Sequence, residues 1–232
     1  MDFSKRSYQA ELLDGDNIPF DAIEQNMNEL DFINRWLGGH AITLAGVKAL
    51  LGTQGEISVC EIGCGGGDNL QAIQRWCNTK NIRLTITGID INADCIAIAN
   101  QKFSGKDAHF ITSDYQLVDF RNKKPDIIFT SLFCHHFTDQ QLKNIFAWMS
   151  SNARVGFFIN DLHRHPLAYY SIKWLTRIFS KSYLVKNDAP LSVLRGFKRK
   201  DWETILKASG IEKYRLHWKW AFRWLLIIKT DH

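Results

Sequence analysis

The stretch Ser58-Val59-Cys60-Glu61-Ile62-Gly63-Cys64-Gly65-Gly66-Gly67-Asp68-Asn69-Leu70 constrains this chain more than any other. An apolar run over 57–62 stops at a glycine cluster, after which Leu70, Ile73 and Trp76 recur at helical spacing. The pattern is strand, tight turn, helix. Residues without a Cβ take φ > 0 freely and let a ligand approach the backbone, so such a turn presents N–H groups to a ligand. The dinucleotide fingerprint G-x-G-x-x-G requires glycine at position 68, and Asp68 stands there. With Glu61 closing the strand, two carboxylates occupy the place of a pyrophosphate. They suit a ligand that carries an ammonium.

A chain of 232 residues is long enough for one large domain with a full core. Apolar residues at 45% and charged residues at 23% indicate a soluble globular protein. Residues 1–16 carry charges throughout without an apolar leader core, and no later run reaches membrane-spanning length, so a cytoplasmic location is expected. The five cysteines form no C-x-x-C pair and lie within predicted strands and helices, which points to buried reduced thiols. A net charge of +5 is mild and requires neither a nucleic acid nor an anionic membrane as partner.

A helix is predicted from about Pro19 to Leu37, stopped by Gly38-Gly39, and a second over 40–51. Strands at 57–62, 82–90, 109–113, 126–132 and 155–161 then alternate with helices at 69–77, 93–102 and 139–149. Such alternation builds a mostly parallel sheet with helices on both faces, and ligands bind where its strands end. The second strand ends at Asp90, placed to accept hydrogen bonds from ribose hydroxyls or to cap the following helix, a task Asn92 could take instead. The third ends at Asp114-Tyr115, the fourth at Ser131 before His135-His136, and the fifth at Asp161-Leu162-His163-Arg164-His165-Pro166. A helix over 167–179 sets Leu167, Tyr170, Trp174 and Ile178 on one face and Lys173, Arg177 and Lys181 on the other, as core packing or as a lid on an apolar pocket. A helix capped near Gly210 and two strand-like runs, 211–218 and 222–229, close the chain.

Glu61-x-Gly63-x-Gly65-x-Gly67, followed in order by Asp90, Asp114 and the apolar strand before Ser131, resembles the motif series of class I S-adenosylmethionine-dependent methyltransferases. The strand ends look most like members acting on small aromatic or quinone-like metabolites. The resemblance implies an α/β fold: a Rossmann-like, mostly parallel seven-stranded sheet with helices on both faces and an antiparallel C-terminal strand. Residues 1–52 would form an N-terminal helical cap and 53–232 the methyltransferase domain, with 162–197 as a lid or substrate insertion, the whole being effectively one domain. S-adenosylmethionine would be held by Glu61, Gly63, Cys64, Gly65, Gly67, Asp90, Ile91, Asp114, Tyr115, Ser131 and Arg35, with S-adenosylhomocysteine as product. His40, His165, Tyr169, Tyr170 and Trp174 are candidates for the acceptor pocket.

Methyl transfer from a sulfonium is an in-line displacement for which a protein mainly supplies alignment. A base is needed only when the acceptor arrives protonated, and histidine suits a phenolic acceptor. His136, His163 and His135 are the candidates. Asp161-x-His163-x-His165 has a metal-like spacing, but Pro166 breaks the alternation that would align the three side chains, so no metal is expected. The expected reaction is O-methylation of a small apolar aromatic or lipid-like acceptor. Carbon methylation of a quinol ring and RNA methylation are the alternatives. Ser131-Leu132-Phe133-Cys134 replaces the Asn/Asp-Pro-Pro-aromatic signature used for base amines, which disfavours nucleic acid. A non-catalytic S-adenosylmethionine-binding module is the alternative of another class, and a nicotinamide dehydrogenase is disfavoured by Glu61 and Asp68. The expected state is a monomer or homodimer, without membrane insertion, and peripheral contact through the Lys173/Arg177/Lys181 face is left open.

Overall fold

The computed structural model describes residues 1–15, 17–52, 55–103, 105–121 and 123–230. Its centre is a seven-stranded sheet built from β1 (Glu56–Ile62), β2 (Arg83–Asp90), β3 (Ala108–Thr112), β4 (Ile127–Ser131), β5 (Gly156–Leu162), β6 (Arg215–Lys219) and β7 (Arg223–Lys229). The order is β3-β2-β1-β4-β5-β7-β6. Strands β1 to β5 pair in parallel, and β7 runs antiparallel to both β5 and β6. The fold expected from the sequence is the fold observed. β4 and the first six residues of β5 are wholly buried, as strands flanked on both faces should be, each starting apolar (residues 127–129 and 157–159) and ending polar (Thr130-Ser131 and Asn160-Asp161).

Helices α1 (Phe20–Trp36), α2 (Gly39–Leu50), α3 (Asp68–Lys80), α4 (Ala93–Lys102), α5 (Asp139–Asn152), α6 (Pro166–Phe179), α7 (Tyr183–Arg195) and α8 (Arg199–Ala208) complete the chain. One face of the sheet is covered through Ile42, Val47, Leu70, Ile73 and Phe158, and the other through Leu142, Phe146, Phe157 and Trp202. Residues 1–52 do not act as one cap. Ile42, Val47 and Leu50 of α2 join the sheet core, where a Cβ on Gly46 would run into the Phe158 ring. α1 instead lies across the glycine turn, with Met27 against Gly65. The expected boundary at residue 53 falls outside the described residues.

The segment 162–197 contains α6 and also α7, a helix that carries no periodic signal in its residues. Leu184, Val185, Asp188, Pro190, Leu191, Val193, Leu194 and Arg195 are all buried, so beyond the exposed Tyr183, Lys186 and Asn187 at its start α7 has no polar face to create a pattern, and Pro190 inside it reads as a breaker.

Candidate active site

The strand order reverses between β1 and β4, which is where a sheet of this kind opens a crevice at its carboxyl edge. A cavity of about 1230 Å³ lies there, lined by the glycine turn, the ends of β2, β4 and β5, and α1, α6 and α7. Its walls are mainly apolar, with a few convergent polar groups, as small-molecule sites are.

At one end, Gly63, Gly65 and Gly67 all have positive φ, at 67°, 49° and 76°. A Cβ on Gly63 would also enter the Phe133 ring, so glycine is required there twice over. Glu61 is buried; Asn69 Nδ2 donates to its Oε1 at 2.9 Å, while Oε2 has no hydrogen-bond partner among the described residues. Burial, with Asp68 and Asp90 nearby, pushes the Glu61 carboxyl well above the usual range. Asp90 accepts from Gly65 N at 2.8 Å and from Asn92 N at 2.9 Å, so it pins the turn as well as facing the cavity. Asn92 caps α4, which leaves Asp90 free of that task. Cys64, Ile91, Asp114, Tyr115 and Ser131 line the same cavity. Asp114 accepts from Gln116 N at 2.9 Å, and Tyr115 packs edge-on against Trp148. Arg35 does not line it: its guanidinium is exposed and pairs with Asp31 at 2.9 Å.

Further along the cavity stands a buried histidine pair. His135 Nδ1 lies 2.8 Å from Asp161 Oδ1, and Nε2 lies 3.5 Å from Glu11 Oε1, without hydrogen-bond geometry. Burial opposes the imidazolium, but Asp161 and Glu11 outweigh it and push His135 up to about 9. In return, against the cost of burial, the His135 charge holds the Asp161 and Glu11 carboxyls below their usual range. His136 is partly exposed and faces Asp14 Oδ1 at 3.2 Å through Nδ1. Glu11, His135 and His136 place donor atoms within 4.8 Å of one another, a spacing a metal could use. Arg195 Nη1 stands 3.8 Å from Glu11 and 3.3 Å from Asp14, so a cation would enter beside a guanidinium. The cluster is a charge network already balanced by its own residues.

The remaining sequence candidates lie off the cavity wall. His163 Nδ1 accepts from Trp218 Nε1 at 3.1 Å, and burial, helped by His165, lowers its imidazole to about 4. His165 caps α6 by accepting from Leu167 N. His40 is buried beside Asp31 at 3.4 Å. Tyr169 packs against Phe3, and Tyr170 and Trp174 are exposed and do not line the cavity; Leu167, Ala168, Ser171, Ile172 and Leu175 line it instead. The helix phase taken from the sequence put the larger aromatics inward, whereas the smaller stripe faces the site. Sequence reasoning passed over Glu11, Asp14, Ser192, Arg195 and Arg223. Glu11 and Asp14 sit in a charged leader that reads as solvated, and the others lie in α7 or at the start of β7. Arg223 is buried, donates to Asn34 Oδ1 at 2.7 Å, and lines the cavity.

This fold is similar to that of solved S-adenosylmethionine-dependent methyltransferases. Residues 59–156 match the family profile described as a methyltransferase domain. Among solved structures, the plantazolicin methyltransferase BpumL in complex with SAH superimposes with a TM-score of 0.64 at 19% identity, covering 90% of this chain and 88% of that one. Human N-acetylserotonin methyltransferase in complex with SAM gives 0.62 at 16% identity, covering 92% of this chain and 57% of that one. Magnesium protoporphyrin IX methyltransferase from Synechocystis PCC 6803 with bound SAH gives 0.51 at 17% identity, covering 94% and 90%. No curated protein matches the sequence.

Proposed function

We propose that the chain transfers a methyl group from S-adenosylmethionine to an oxygen of a small, largely apolar acceptor, with His135 receiving the acceptor's proton. One observation carries this reading. A single cavity joins an acidic glycine turn to an apolar chamber lined by His135, which pairs with Asp161 behind it. The turn fits the cofactor by its own chemistry: Glu61 Oε2 is an unpartnered buried acceptor for an ammonium, Asp90 lines the cavity and would accept from a diol, and three left-handed glycines keep side chains out of the ligand's path. Gly63, Cys64, Gly65, Gly67, Ile91, Asp114, Tyr115 and Ser131 complete that half. The cofactor supplies the electrophilic methyl group when bound.

The chain's residues align and deprotonate. Asp161 fixes the His135 ring through Nδ1, and Nε2, which has no hydrogen-bond partner among the described residues, is the atom left to take a proton from a bound hydroxyl. Because the free imidazole titrates near 9, transfer to a phenolic acceptor should rise about tenfold per pH unit below that value. Apolar walls from α6 and α7 exclude water. The test supplies methyl-labelled S-adenosylmethionine with a host extract and counts organic-soluble, nucleic-acid and protein fractions separately. Label in the organic fraction, absent with Asp90→Ala, is expected. Label confined to nucleic acid or protein refutes the acceptor class.

A further inference from the structure

Soluble chains bury their large apolar side chains or scatter the remainder singly. Here Trp174, Ile178 and Phe179 of α6 are 64%, 64% and 75% exposed, and Phe32, Trp36 and Trp220 are 59%, 72% and 73% exposed. They are neighbours. The Glu29 carboxylate of α1 accepts from Lys181 N and Ser182 N at 3.0 Å, which ties the end of α6 to the turn of α1 before Phe32. Trp220 stands beside Gly38 at the end of the same helix. The cavity opens between these two helices: Ile33 and Leu37 of α1 and Ile172 and Leu175 of α6 line it, with Trp220 at the edge. The exposed apolar residues therefore surround the cavity mouth.

Along α6 the charge beside them has one sign, while α1 contributes Glu29, taken up by the Lys181 and Ser182 N–H groups, and Asp31, paired with Arg35. No Asp or Glu occurs between Asp161 and Asp188, whereas Lys173, Arg177 and Lys181 are all exposed along the edge of the Trp174 and Ile178 stripe. An apolar stripe bordered by lysine and arginine is the pattern of a helix that lies in the interface of an anionic bilayer. Among the described residues no helix is long and apolar enough to cross a membrane, and α6, at 14 residues, can only lie along one. A two-fold contact with a second copy would set the same three cations against themselves.

We propose that this face, centred on α6, docks on an anionic lipid bilayer and turns the cavity mouth toward it. Docking stands on the surface alone; only its consequence, that the acceptor enters from the lipid, rests on the methyl-transfer reading. The test is sedimentation of the full chain with phosphatidylcholine vesicles, with and without phosphatidylglycerol. Binding is expected only with phosphatidylglycerol, with a blue shift of tryptophan emission and loss in high salt. Replacing Lys173, Arg177 and Lys181 together with glutamine should lower the partition coefficient by about a hundredfold. The pair Trp174→Ser and Ile178→Ser should abolish the emission shift, and unchanged S-adenosylhomocysteine binding shows that each variant is folded. A protein that binds S-adenosylhomocysteine but ignores phosphatidylglycerol vesicles refutes docking and leaves the cofactor reading intact. Vesicle binding without cofactor binding does the reverse. Self-association that the serine pair abolishes, without vesicle binding, gives the face to a second copy and overturns the proposal.

Discussion

Replacing Asp161 with asparagine should remove most of the alkaline instability of this protein. Asp161 is fully buried, 2.8 Å from His135 Nδ1, and also accepts from His135 N at 3.3 Å and Leu162 N at 2.7 Å. Together with Glu11 it lifts the His135 imidazole from 6.5 to about 9. That difference corresponds to about 3 kcal/mol of folding free energy. Its sign follows from the direction of the shift. A histidine raised in the folded state contributes fully below its unfolded value near 6.5, and the contribution is lost as pH rises through about 9. The depressed Asp161 and Glu11 carboxyls act at the other end, where their contribution is lost as pH falls through the acid range. Urea unfolding of the wild type at pH ~7 and pH ~10 should therefore differ by about 3 kcal/mol. Asp161→Asn should be less stable at neutral pH by about 3–5 kcal/mol, the cost of breaking a buried pair, and should lose much less on going alkaline. Glu11→Gln keeps the test open if that variant does not fold, and should retain an intermediate slope. Equal alkaline losses in wild type and both variants would show that His135 is not held charged by these carboxylates.

Other outcomes follow from single positions. Gly63→Ala combines a φ of 67° with a Cβ inside the Phe133 ring, and should cost more than the roughly 1–2 kcal/mol of a left-handed alanine, read from thermal unfolding. Ala221, at φ 56° in the β6–β7 turn, carries the same strain without a clash, so Ala221→Gly should stabilise by up to about 1 kcal/mol in the same assay. Glu61→Gln keeps the shape of the Asn69 contact but removes the carboxylate, and should weaken S-adenosylhomocysteine binding about tenfold or more by calorimetry. Unchanged affinity would mean that Oε2 does not meet the ammonium.

The legible part of the molecule was the part that repeats a local rule. Residues 57–70 combine a buried strand, a turn that excludes side chains and a helix start, and each step has its own composition, so Glu61, the glycines and Asp90 could be placed from spacing alone. β4 and β5 were legible because burial on both faces leaves a short apolar run at the start of each, residues 127–129 and 157–159. The acceptor half was not legible, because it depends on long-range contacts. Glu11 reaches His135 and Arg195 across much of the chain, and nothing near Glu11 in sequence distinguishes it from a solvated acid. Choosing among His135, His136 and His163 required knowing which loop faces inward. His163 turned instead to Trp218. In α6 the amphipathic period was correct, but size was a poor guide to direction, since Trp174 stands outside and Ile172 lines the cavity.

A buried run of side-chain amides and hydroxyls extends beneath the glycine turn. Asn69 holds Glu61 and accepts from Thr43 Oγ1 at 3.1 Å; Asn160 Nδ2 donates to Thr43 Oγ1 at 3.1 Å and to the Gly39 carbonyl at 3.0 Å. Four elements, β1, α3, α2 and β5, thus share one set of protons and lone pairs, and none of the four side chains can rotate without unpairing the next. The run thereby connects the glycine turn to Gly39, next to the α1–α2 corner that holds Asn34 and its partner Arg223. The glycine turn and the Arg223 side of the cavity are joined beneath its floor as well as through its open space, so, on the proposed function, a substitution at Thr43, which does not line the cavity, should alter affinity for both cofactor and acceptor.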